Sequence, residues 1–227
     1  MALNRYTNGE YLSTNPDWHI VDSRWKAAQV LEMLHDAKVH TVCEVGCGAG
    51  EILRQIHDHL PDVRRLVGYE IAETPLAMAL ERESVRLTFK LRDAAQDDER
   101  FDLMLIMDVI EHVSDPIAFL TALRFKAART ILHVPLDLSA QAMLRPGKLI
   151  AERERVGHIH YFTPETALAT VRDAGYMIQG YAFTPSYQTG SGSLKGRLAR
   201  IPRRLLPKSL TIRVLGGYSM LIDASNV

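Results

Sequence analysis

A glycine-rich turn is the part of the sequence whose residue types point most directly to chemistry. Residues 42–53 read VCEVGCGAGEIL, so Gly46, Gly48 and Gly50 follow a short apolar run and precede an amphipathic one. Glycines permit positive φ angles and let a ligand lie against bare backbone near the N-terminus of a helix. Glu70 comes 20 residues after Gly50, a spacing at which a carboxylate can accept hydrogen bonds from ribose hydroxyls. Together these features predict a site for an adenosine-containing cofactor.

Two further carboxylates near this turn discriminate between cofactors. The dinucleotide fingerprint G-x-G-x-x-G requires glycine or alanine where this chain has Glu51, because the helix packs closely on the strand there. Glu44 lies two residues before Gly46. A carboxylate is unfavourable beside a diphosphate and favourable beside an ammonium group. Glu44 and Glu51 therefore disfavour a nicotinamide dinucleotide and favour a positively charged cofactor such as S-adenosylmethionine.

Histidines form a second group of candidate residues. They lie in DVIEHVSDP (108–116), HVPLD (133–137) and RVGHIHYF (155–162), and are His112, His133, His158 and His160. His158 and His160 are two residues apart, so in an extended segment both side chains point to one face. Loops after the carboxyl ends of parallel strands open onto the ligand crevice, which predicts a second substrate site here. No established metal-binding motif accompanies these histidines, so no metal is expected.

Short apolar runs predict the strands that must position these residues. The seven runs are 41–45, 65–71, 85–90, 101–107, 130–134, 177–183 and 217–222. The run FDLMLIM at 101–107 is apolar on both faces, as in a strand buried in the middle of a parallel sheet. Strands that alternate with helices predict a doubly wound, mostly parallel α/β sheet. The last two runs have no convincing long helix between them and are expected to pair antiparallel at the edge of the sheet.

Helical patterns fill the intervals between these runs. The first helix is expected to begin at a Ser23 cap and to bury a stripe formed by Trp25, Ala28, Leu31 and Leu34. Apolar residues recur at positions 52, 56 and 60 after the glycine turn. A later helix is expected to have its cap and first-turn proline at 163–165 and its terminating glycine at Gly175.

Composition limits the classes of protein to consider. The chain has 227 residues, 27 basic and 27 acidic, with 47% hydrophobic residues, which excludes a disordered or collagen-like chain. Its two cysteines, Cys43 and Cys47, provide no disulfide framework and are expected to be buried thiols. The sequence shows no apolar signal core and no uncharged apolar run long enough to span a membrane. A single cytoplasmic domain is predicted.

The balanced net charge hides a basic segment. No acidic residue occurs from Ala174 to Ile222, and the basic residues in that stretch are Lys195, Arg197, Arg200, Arg203, Arg204, Lys208 and Arg213. Glycine and prolines interrupt the stretch, so residues 186–213 are expected to form a basic loop or short-helix insertion before the last strand. It would either recognise an anionic acceptor or an anionic membrane surface, or simply be solvated.

The N-terminal residues 1–38 are rich in aromatic side chains. These are Tyr6, Tyr11, Trp18, His19 and Trp25. On composition alone, such a segment is expected to cover the edge of the sheet as a strap.

With these motifs the sequence resembles the class I S-adenosylmethionine-dependent methyltransferases, and more narrowly their small-molecule branch that includes quinone-biosynthesis O-methyltransferases. The resemblance covers roughly residues 25–184. It is carried by EVGCGAG (44–50), GYE (68–70), RDA (92–94), FDLMLIMDVIEHVSDP (101–116) and HYFTPETALATVRDAGY (160–176). It implies a Rossmann-like fold of seven strands with an antiparallel edge strand. It also implies the alternative role for residues 1–38, a lid over the cofactor and acceptor.

The resemblance also implies roles for individual residues. In the family, a carboxylate at the position of Glu44 holds the methionine end of the cofactor, and one at Glu70 binds the ribose. An acid at Asp93 meets the adenine amino group, and Asp108 faces the amino-acid end. The remaining cofactor-binding positions implied are Gly46, Cys47, Gly48, Gly50, Ile71 and Ala94.

The implied activity is methyl transfer to a small-molecule acceptor. A hydroxyl group of a sugar, lipid-linked compound or secondary metabolite is the first expectation, with His112, His133, His158 or His160 as the base that removes its proton. Transfer to nitrogen or carbon, a nicotinamide-dependent oxidoreductase, a nucleic-acid methyltransferase and a binding protein without activity remain as alternatives. No recognition motif for nucleic acid accompanies the basic tail. The oligomeric state is open, and a homodimer is one of the states considered.

Overall fold

A computed structural model of the protein describes residues 20–35, 37–185 and 207–226. Within these ranges the strands are β1 (Thr41–Val45), β2 (Arg65–Glu70), β3 (Leu87–Leu91), β4 (Phe101–Met107), β5 (Ala127–Pro135), β6 (Tyr176–Pro185) and β7 (Tyr218–Asn226). The helices are α1 (Ile20–Leu34), α2 (Glu51–His59), α3 (Glu73–Leu80), α4 (Pro116–Leu123), α5 (Ala140–Met143), α6 (Lys148–Val156), α7 (Pro164–Asp173) and α8 (Lys208–Leu215).

The strands form one sheet in the order β3-β2-β1-β4-β5-β7-β6. Strands β1 to β5 are parallel to one another. Strand β7 runs antiparallel to both of its neighbours, β5 and β6. The expected doubly wound, mostly parallel sheet of seven strands is confirmed, as is the antiparallel pairing of the last two strands in sequence. The antiparallel strand β7 lies one position in from the edge, and β6 forms the edge itself.

Helices cover both faces of the sheet because its central strands are apolar on both sides. Leu103 and Leu105 of β4 pack in a core with residues of α1, α2 and α3. Met104 and Ile106 pack on the opposite face with residues of α4, α7 and α8. The two-sided burial expected for this strand is confirmed. The two layers leave the carboxyl ends of the parallel strands as the place where loops can form a site.

Strand ends agree with the sequence where turn residues mark them. The bounds expected for β1 and β4 are confirmed at both ends. Strand β3 begins at Leu87 rather than at Val85, which is fully exposed. Strand β5 begins at Ala127, three residues before the expected start, since its pairing with β4 begins there.

The expectation for α1 is wrong. The helix spans Ile20–Leu34, so Ser23 lies inside it and is not its cap. The side chains on its buried face are Ala27, Val30 and Leu34, while Ala28 is exposed. Apolar residues lie on two adjacent sides of this helix, and periodicity alone cannot decide which side packs on the sheet. By contrast, the predicted ends of α7 are confirmed, with Thr163 as its N-cap.

Several expectations fall on residues that lie outside the described ranges. These are the aromatic residues Tyr6, Tyr11, Trp18 and His19 of the proposed lid, and Lys195, Arg197, Arg200, Arg203 and Arg204 of the basic segment. Of the other basic residues in that segment, Lys208 and Arg213 belong to α8. No helix within the described ranges combines the length and apolarity that a membrane crossing requires.

Candidate active site

A cavity of about 870 Å³ opens at the carboxyl ends of β1, β2, β4 and β5. This is the edge at which open α/β sheets bind ligands. The glycine turn, the end of β2 and the loop after β3 line one part of the cavity, and the loops after β4 and β5 line another. The sequence elements singled out for chemistry thus converge on one space, whose volume lies in the usual range for small-molecule sites.

The glycine turn after β1 provides an open cradle. Gly46, Gly48 and Gly50 all have positive φ angles, of 71°, 53° and 77°. A Cβ atom on Gly50 would come within 2.5 Å of the ring of Phe89, so this glycine is needed for packing of the turn. A Cβ on Gly48 would meet nothing within 4 Å, and Gly48 lines the cavity. Gly48 therefore leaves room for a ligand against bare backbone.

Glu70 is fixed at the end of β2 beside this cradle. Its Oε2 accepts a hydrogen bond from the amide of Gly48 at 3.0 Å. Its Oε1 accepts bonds from the amides of Ile71 at 2.8 Å and Ala72 at 2.9 Å. Burial raises the pKa of Glu70 above its ordinary value, and the three amide donors oppose the shift. The carboxylate is thereby held rigidly at the cavity wall.

Glu44 presents an unsatisfied acceptor to the same cavity. Its side chain is almost completely buried, and its Oε2 has no hydrogen-bond partner among the described residues. Burial raises its pKa well above the ordinary value, and the positive charge of Lys26 opposes the shift. A buried carboxylate oxygen without a partner is costly. A cationic group in the cavity would satisfy it.

A buried ion-pair network connects α1 with the ends of β4 and β5. Lys26 Nζ contacts Asp108 Oδ2 at 2.7 Å and Asp22 Oδ2 at 3.1 Å. Asp108 Oδ1 lies 2.5 Å from Nδ1 of His133, and the other ring nitrogen of His133 lies 3.2 Å from the Thr184 hydroxyl. Burial opposes ionisation of Asp108, but the charges of His133 and Lys26 hold its pKa well below the ordinary value. Both Asp108 oxygens are thus engaged within the protein.

The loop after β3 borders the end of the cavity beside Glu70. Asp93 is exposed, and its Oδ1 accepts a bond from the amide of Ala95 at 2.9 Å, which caps a short 3₁₀ turn. Ala94 is buried and Ile71 is half-exposed, and all three line the cavity. The positions implied for adenine binding therefore lie together next to the position implied for ribose binding.

Two of the four candidate histidines lie close together at the end of the cavity opposite Glu70. The rings of His112 and His158 have centroids 5.0 Å apart, and both line the cavity. His112 Nδ1 lies 3.1 Å from the carbonyl oxygen of Gly157, and His158 Nδ1 lies 2.6 Å from Asp137 Oδ2. Each ring is therefore oriented through one nitrogen, with the other directed toward a third residue, Glu111.

The other two histidines are placed differently. His133 lines the cavity but is almost completely buried, and both of its nitrogens have partners. His160 does not border the cavity, and its Nε2 lies 3.3 Å from the carbonyl oxygen of Ser114. The structure brings His112 and His158 together and separates His160 from them.

The expectation that the Glu51 carboxylate lies beside a positively charged cofactor is wrong. This side chain does not line the cavity, because it lies between α1 and α3 and contacts Arg24 at 3.4 Å and Arg82 at 3.1 Å. Burial opposes its ionisation, but bonds from Gln55, Arg82 and Arg24 lower its pKa. The electrostatic argument for a cationic cofactor therefore rests on Glu44. Both cysteines are buried and unpaired, as expected, and burial raises their pKa values.

Two buried charged residues, Lys26 at the cavity wall and Glu111 behind it, were assigned no role from the sequence. Lys26 lies in a helix outside every recognised motif. Glu111 lies in the DVIEHVSDP motif without a role assigned from the sequence, and it is fully buried. Burial and the negative charges of Asp108 and Asp137 raise its pKa well above the ordinary value. Only the tertiary structure reveals these two positions.

Comparisons with known proteins agree with this geometry. A family model described as "Methyltransferase domain" matches residues 18–179. A ubiquinone biosynthesis O-methyltransferase of Cereibacter sphaeroides (strain ATCC 17025) is 38% identical over 87 residues, which are 36% of this chain and 34% of that protein. The corresponding protein of Ruegeria sp. (strain TM1040) is 32% identical over 161 residues, 63% of this chain and 64% of the relative. The chain thus matches less than two thirds of the length of these relatives.

Solved structures show the same fold at low sequence identity. The magnesium protoporphyrin IX methyltransferase of Synechocystis, crystallised with S-adenosylhomocysteine, has a TM-score of 0.63 and 17% identity, covering 91% of this chain and 84% of that one. A putative methyltransferase of Haloferax volcanii, solved with the activator Trm112, has a TM-score of 0.68 and 14% identity, covering 96% and 94%.

Proposed function

The chain belongs to the methyltransferase domain family, and we propose that it transfers a methyl group from S-adenosylmethionine to a hydroxyl group of a small-molecule acceptor. The observation that carries the proposal is that a cofactor cradle and a pair of oriented imidazoles face one cavity. Gly48 leaves open space, and Glu44 has an oxygen without a partner among the described residues. Both features fit a cofactor that lies against the turn and carries a positive charge.

The cofactor, when bound, supplies an electrophilic methyl group on a sulfonium. Glu70 would hold the ribose hydroxyls, and Glu44 would hold the ammonium of the methionine end. Lys26 uses two of its three donors on Asp108 and Asp22, and the third would hold the carboxylate of that end. These contacts fix the methyl group relative to the loops after β4 and β5. Such positioning can contribute roughly 7–11 kcal/mol to the lowering of the barrier.

The acceptor hydroxyl must lose its proton as the new bond to carbon forms. His112 and His158 lie at the cavity wall, each oriented through Nδ1, and would accept that proton as general bases. Proton removal by a positioned group typically contributes about 10²- to 10⁴-fold in rate. An amine acceptor would need less of this help, so the oriented pair favours a hydroxyl.

Basic side chains border the acceptor end of the cavity and support an acceptor that carries an anionic group. Arg145, Lys148 and Arg155 all line the cavity from the α5–α6 region. Lys148 and Arg155 both contact Glu152, so one carboxylate is shared between two cations. These four side chains therefore carry a net positive charge. An anionic acceptor was expected from the basic tail, and these residues give that proposal a basis within the described structure.

A methyl-transfer assay with a matched pair of variants tests the proposal. Purified protein is incubated with isotopically labelled S-adenosylmethionine and panels of phenols, sugars and amines, with and without a phosphate or carboxylate group. His158→Gln should lose about 10²-fold or more in kcat, while His160→Gln, which alters a histidine outside the cavity, should stay close to wild type. Transfer only to amines, or equal losses in the two variants, would contradict the hydroxyl proposal.

A further inference from the structure

The loop after β4 buries a carboxylate that the protein itself does not satisfy. Glu111 has no exposed surface, and neither of its carboxylate oxygens has a hydrogen-bond partner among the described residues. Its backbone carbonyl accepts bonds from the amides of Ile159 at 2.9 Å and His160 at 3.1 Å. The backbone at Glu111 is therefore fixed against the loop that carries His158. A carboxyl group in this state is costly to ionise unless a positively charged partner joins it.

Two imidazoles converge on this carboxylate. Nε2 of His112 lies 3.9 Å from Glu111 Oε1, and Nε2 of His158 lies 3.8 Å from the same oxygen. One ligand atom from each of the three residues lies within 4.8 Å of the others. Ligands that share an ion at about 2.0–2.1 Å are separated by roughly 3–3.5 Å. The two carboxylate–imidazole distances would have to shorten by less than about 1 Å, and the largest of the three separations, which is at most 4.8 Å, by less than about 2 Å, to reach coordination distance.

The opposite nitrogen of each ring has the partner that metal-binding histidines usually have. Nδ1 of His112 faces the carbonyl oxygen of Gly157, and Nδ1 of His158 faces the carboxylate of Asp137. Such outer partners place the proton on Nδ1, orient the ring and make Nε2 a better ligand. A general base requires one oriented imidazole, whereas here two imidazoles and a buried carboxylate share a centre.

We infer that Glu111, His112 and His158 bind a divalent first-row metal ion, which holds and activates the acceptor oxygen. Two imidazoles and one carboxylate suit zinc, manganese or iron and leave coordination positions open. His112 and His158 line the cavity, so an open position can face the acceptor. The sequence predicts no metal because no established motif links the adjacent pair Glu111 and His112 with the distant His158. The inference rests on the proposed function.

The ion would change how the acceptor loses its proton. A hydroxyl oxygen bound to a divalent ion has a lowered pKa, so its proton passes to water before or during transfer. The oxygen then forms its bond to the methyl carbon as the carbon–sulfur bond breaks. The products are the methyl ether, S-adenosylhomocysteine and the released proton. In this form of the proposed function, His112 and His158 promote proton loss as ligands of the ion rather than as bases that accept the proton.

Direct metal binding tests the inference without any measurement of activity. The full chain is stripped with EDTA, desalted and titrated with Zn²⁺ by calorimetry and with Mn²⁺ by electron paramagnetic resonance. We expect one ion per chain for the wild type and an affinity at least about 10-fold lower for Glu111→Gln and His158→Gln. His160→Gln, outside the cavity, is the matched control and should bind like the wild type. Wild-type protein that binds no ion stoichiometrically would overturn the inference, as would variants that bind unchanged.

Activity then separates this inference from the proposed function. Methyl transfer by the stripped protein should fall at least about 10-fold in EDTA and return on addition of Mn²⁺ or Zn²⁺. Full transfer in EDTA would overturn the metal inference and leave the proposed function intact. Stoichiometric metal binding with no transfer to any hydroxyl would support the site and contradict the proposed function. Binding of S-adenosylhomocysteine to the stripped variants reports whether they are folded.

Discussion

Buried ionisable side chains are concentrated at the carboxyl edge of the sheet. Burial raises the pKa values of Glu44, Glu70 and Glu111, whereas Asp108, which is paired with Lys26 and His133, has a lowered pKa. Perturbed groups of this kind are typical of functional sites. Their different environments suggest different roles. Glu44 and Glu111 have carboxylate oxygens without hydrogen-bond partners among the described residues, whereas both oxygens of Asp108 are engaged by Lys26 and His133.

The proposed ribose role of Glu70 predicts a lower affinity for the cofactor in Glu70→Ala. Affinity for S-adenosylmethionine should fall by roughly 1.5–3 kcal/mol, the usual contribution of hydrogen bonds to a charged group. Calorimetry measures the change. Glu73→Ala, at an exposed position in α3, is the matched control. Unchanged affinity in a folded Glu70→Ala protein would remove the ribose role.

The buried network predicts that Lys26→Met lowers both stability and cofactor affinity. Asp108 would retain His133 as a partner, but Asp22 and Glu44 would lose the nearby positive charge. Removing one partner of a buried ion pair typically costs about 3–5 kcal/mol, and we expect the low end of that range. Denaturant unfolding of Lys26→Met beside Lys38→Met, which alters an exposed lysine, measures the effect. Equal stability of the two variants would contradict it.

Two glycines of the turn between β1 and α2 have different surroundings, one packed against the core and one open to the cavity. The Cβ of a residue at position 50 would overlap the Phe89 ring at 2.5 Å, whereas one at position 48 would enter open space in the cavity. The amide of Gly48 is also held by Glu70. The turn therefore joins the packing of α2 to the position of Glu70, the carboxylate proposed to bind ribose.

Gly48→Ala and Gly50→Ala are expected to separate these two functions. Gly50→Ala should lower the free energy of unfolding by about 2–4 kcal/mol, because it combines overlap with a positive φ angle. Gly48→Ala should cost only about 1 kcal/mol of stability but weaken cofactor binding at least about 10-fold. Thermal unfolding and calorimetry on both variants measure the two quantities. If Gly48→Ala binds cofactor like the wild type, the cradle is elsewhere.

Elements and site residues with local signals could be predicted from the sequence. Turn and cap residues mark β1 and α7, and the glycine turn with Glu70 follows from spacing alone. The face of α1 could not be predicted, because apolar residues occupy two adjacent sides of that helix. Lys26, the buried state of Glu111 and the meeting of His112 with His158 depend on how distant segments pack. Glu51 was misassigned because the sequence does not show that Arg24 and Arg82 reach it.

Strand β7, which follows all other strands in sequence, lies between β5 and β6 in the sheet. Strand β7 pairs with β5 on one side and with β6 on the other. Arg129 of β5 makes two bonds to Asp223 of β7, at 2.8 and 2.9 Å. Strand β7 thus completes the sheet that carries the site.

The stability of the whole molecule also depends on ion pairs that connect strands with loops, such as the pair formed by Lys90 and Asp97.

Acid pH should destabilise the molecule partly through Asp97. A hydrogen bond from Lys90 lowers the pKa of Asp97 to about 2, although burial opposes the shift. A carboxyl group with a depressed pKa stabilises the fold above its unfolded pKa of about 3.9, and this stabilisation is lost as the pH falls toward 2. Asp97→Asn should reduce the difference in unfolding free energy between pH 5 and pH 2 by about 1–2 kcal/mol. Urea unfolding at these pH values measures it, and an unaltered difference would contradict the assignment.

Calorimetric titration of the full chain with S-adenosylhomocysteine, and separately with NAD⁺, distinguishes the proposed cofactor from a nicotinamide dinucleotide. We expect S-adenosylhomocysteine to bind with one molecule per chain and NAD⁺ not to bind. We also expect the affinity for S-adenosylhomocysteine to be strongly reduced in Glu70→Ala and preserved in Glu73→Ala. Binding of NAD⁺ without S-adenosylhomocysteine, or binding of neither, would contradict a methyltransferase cofactor site at the glycine turn.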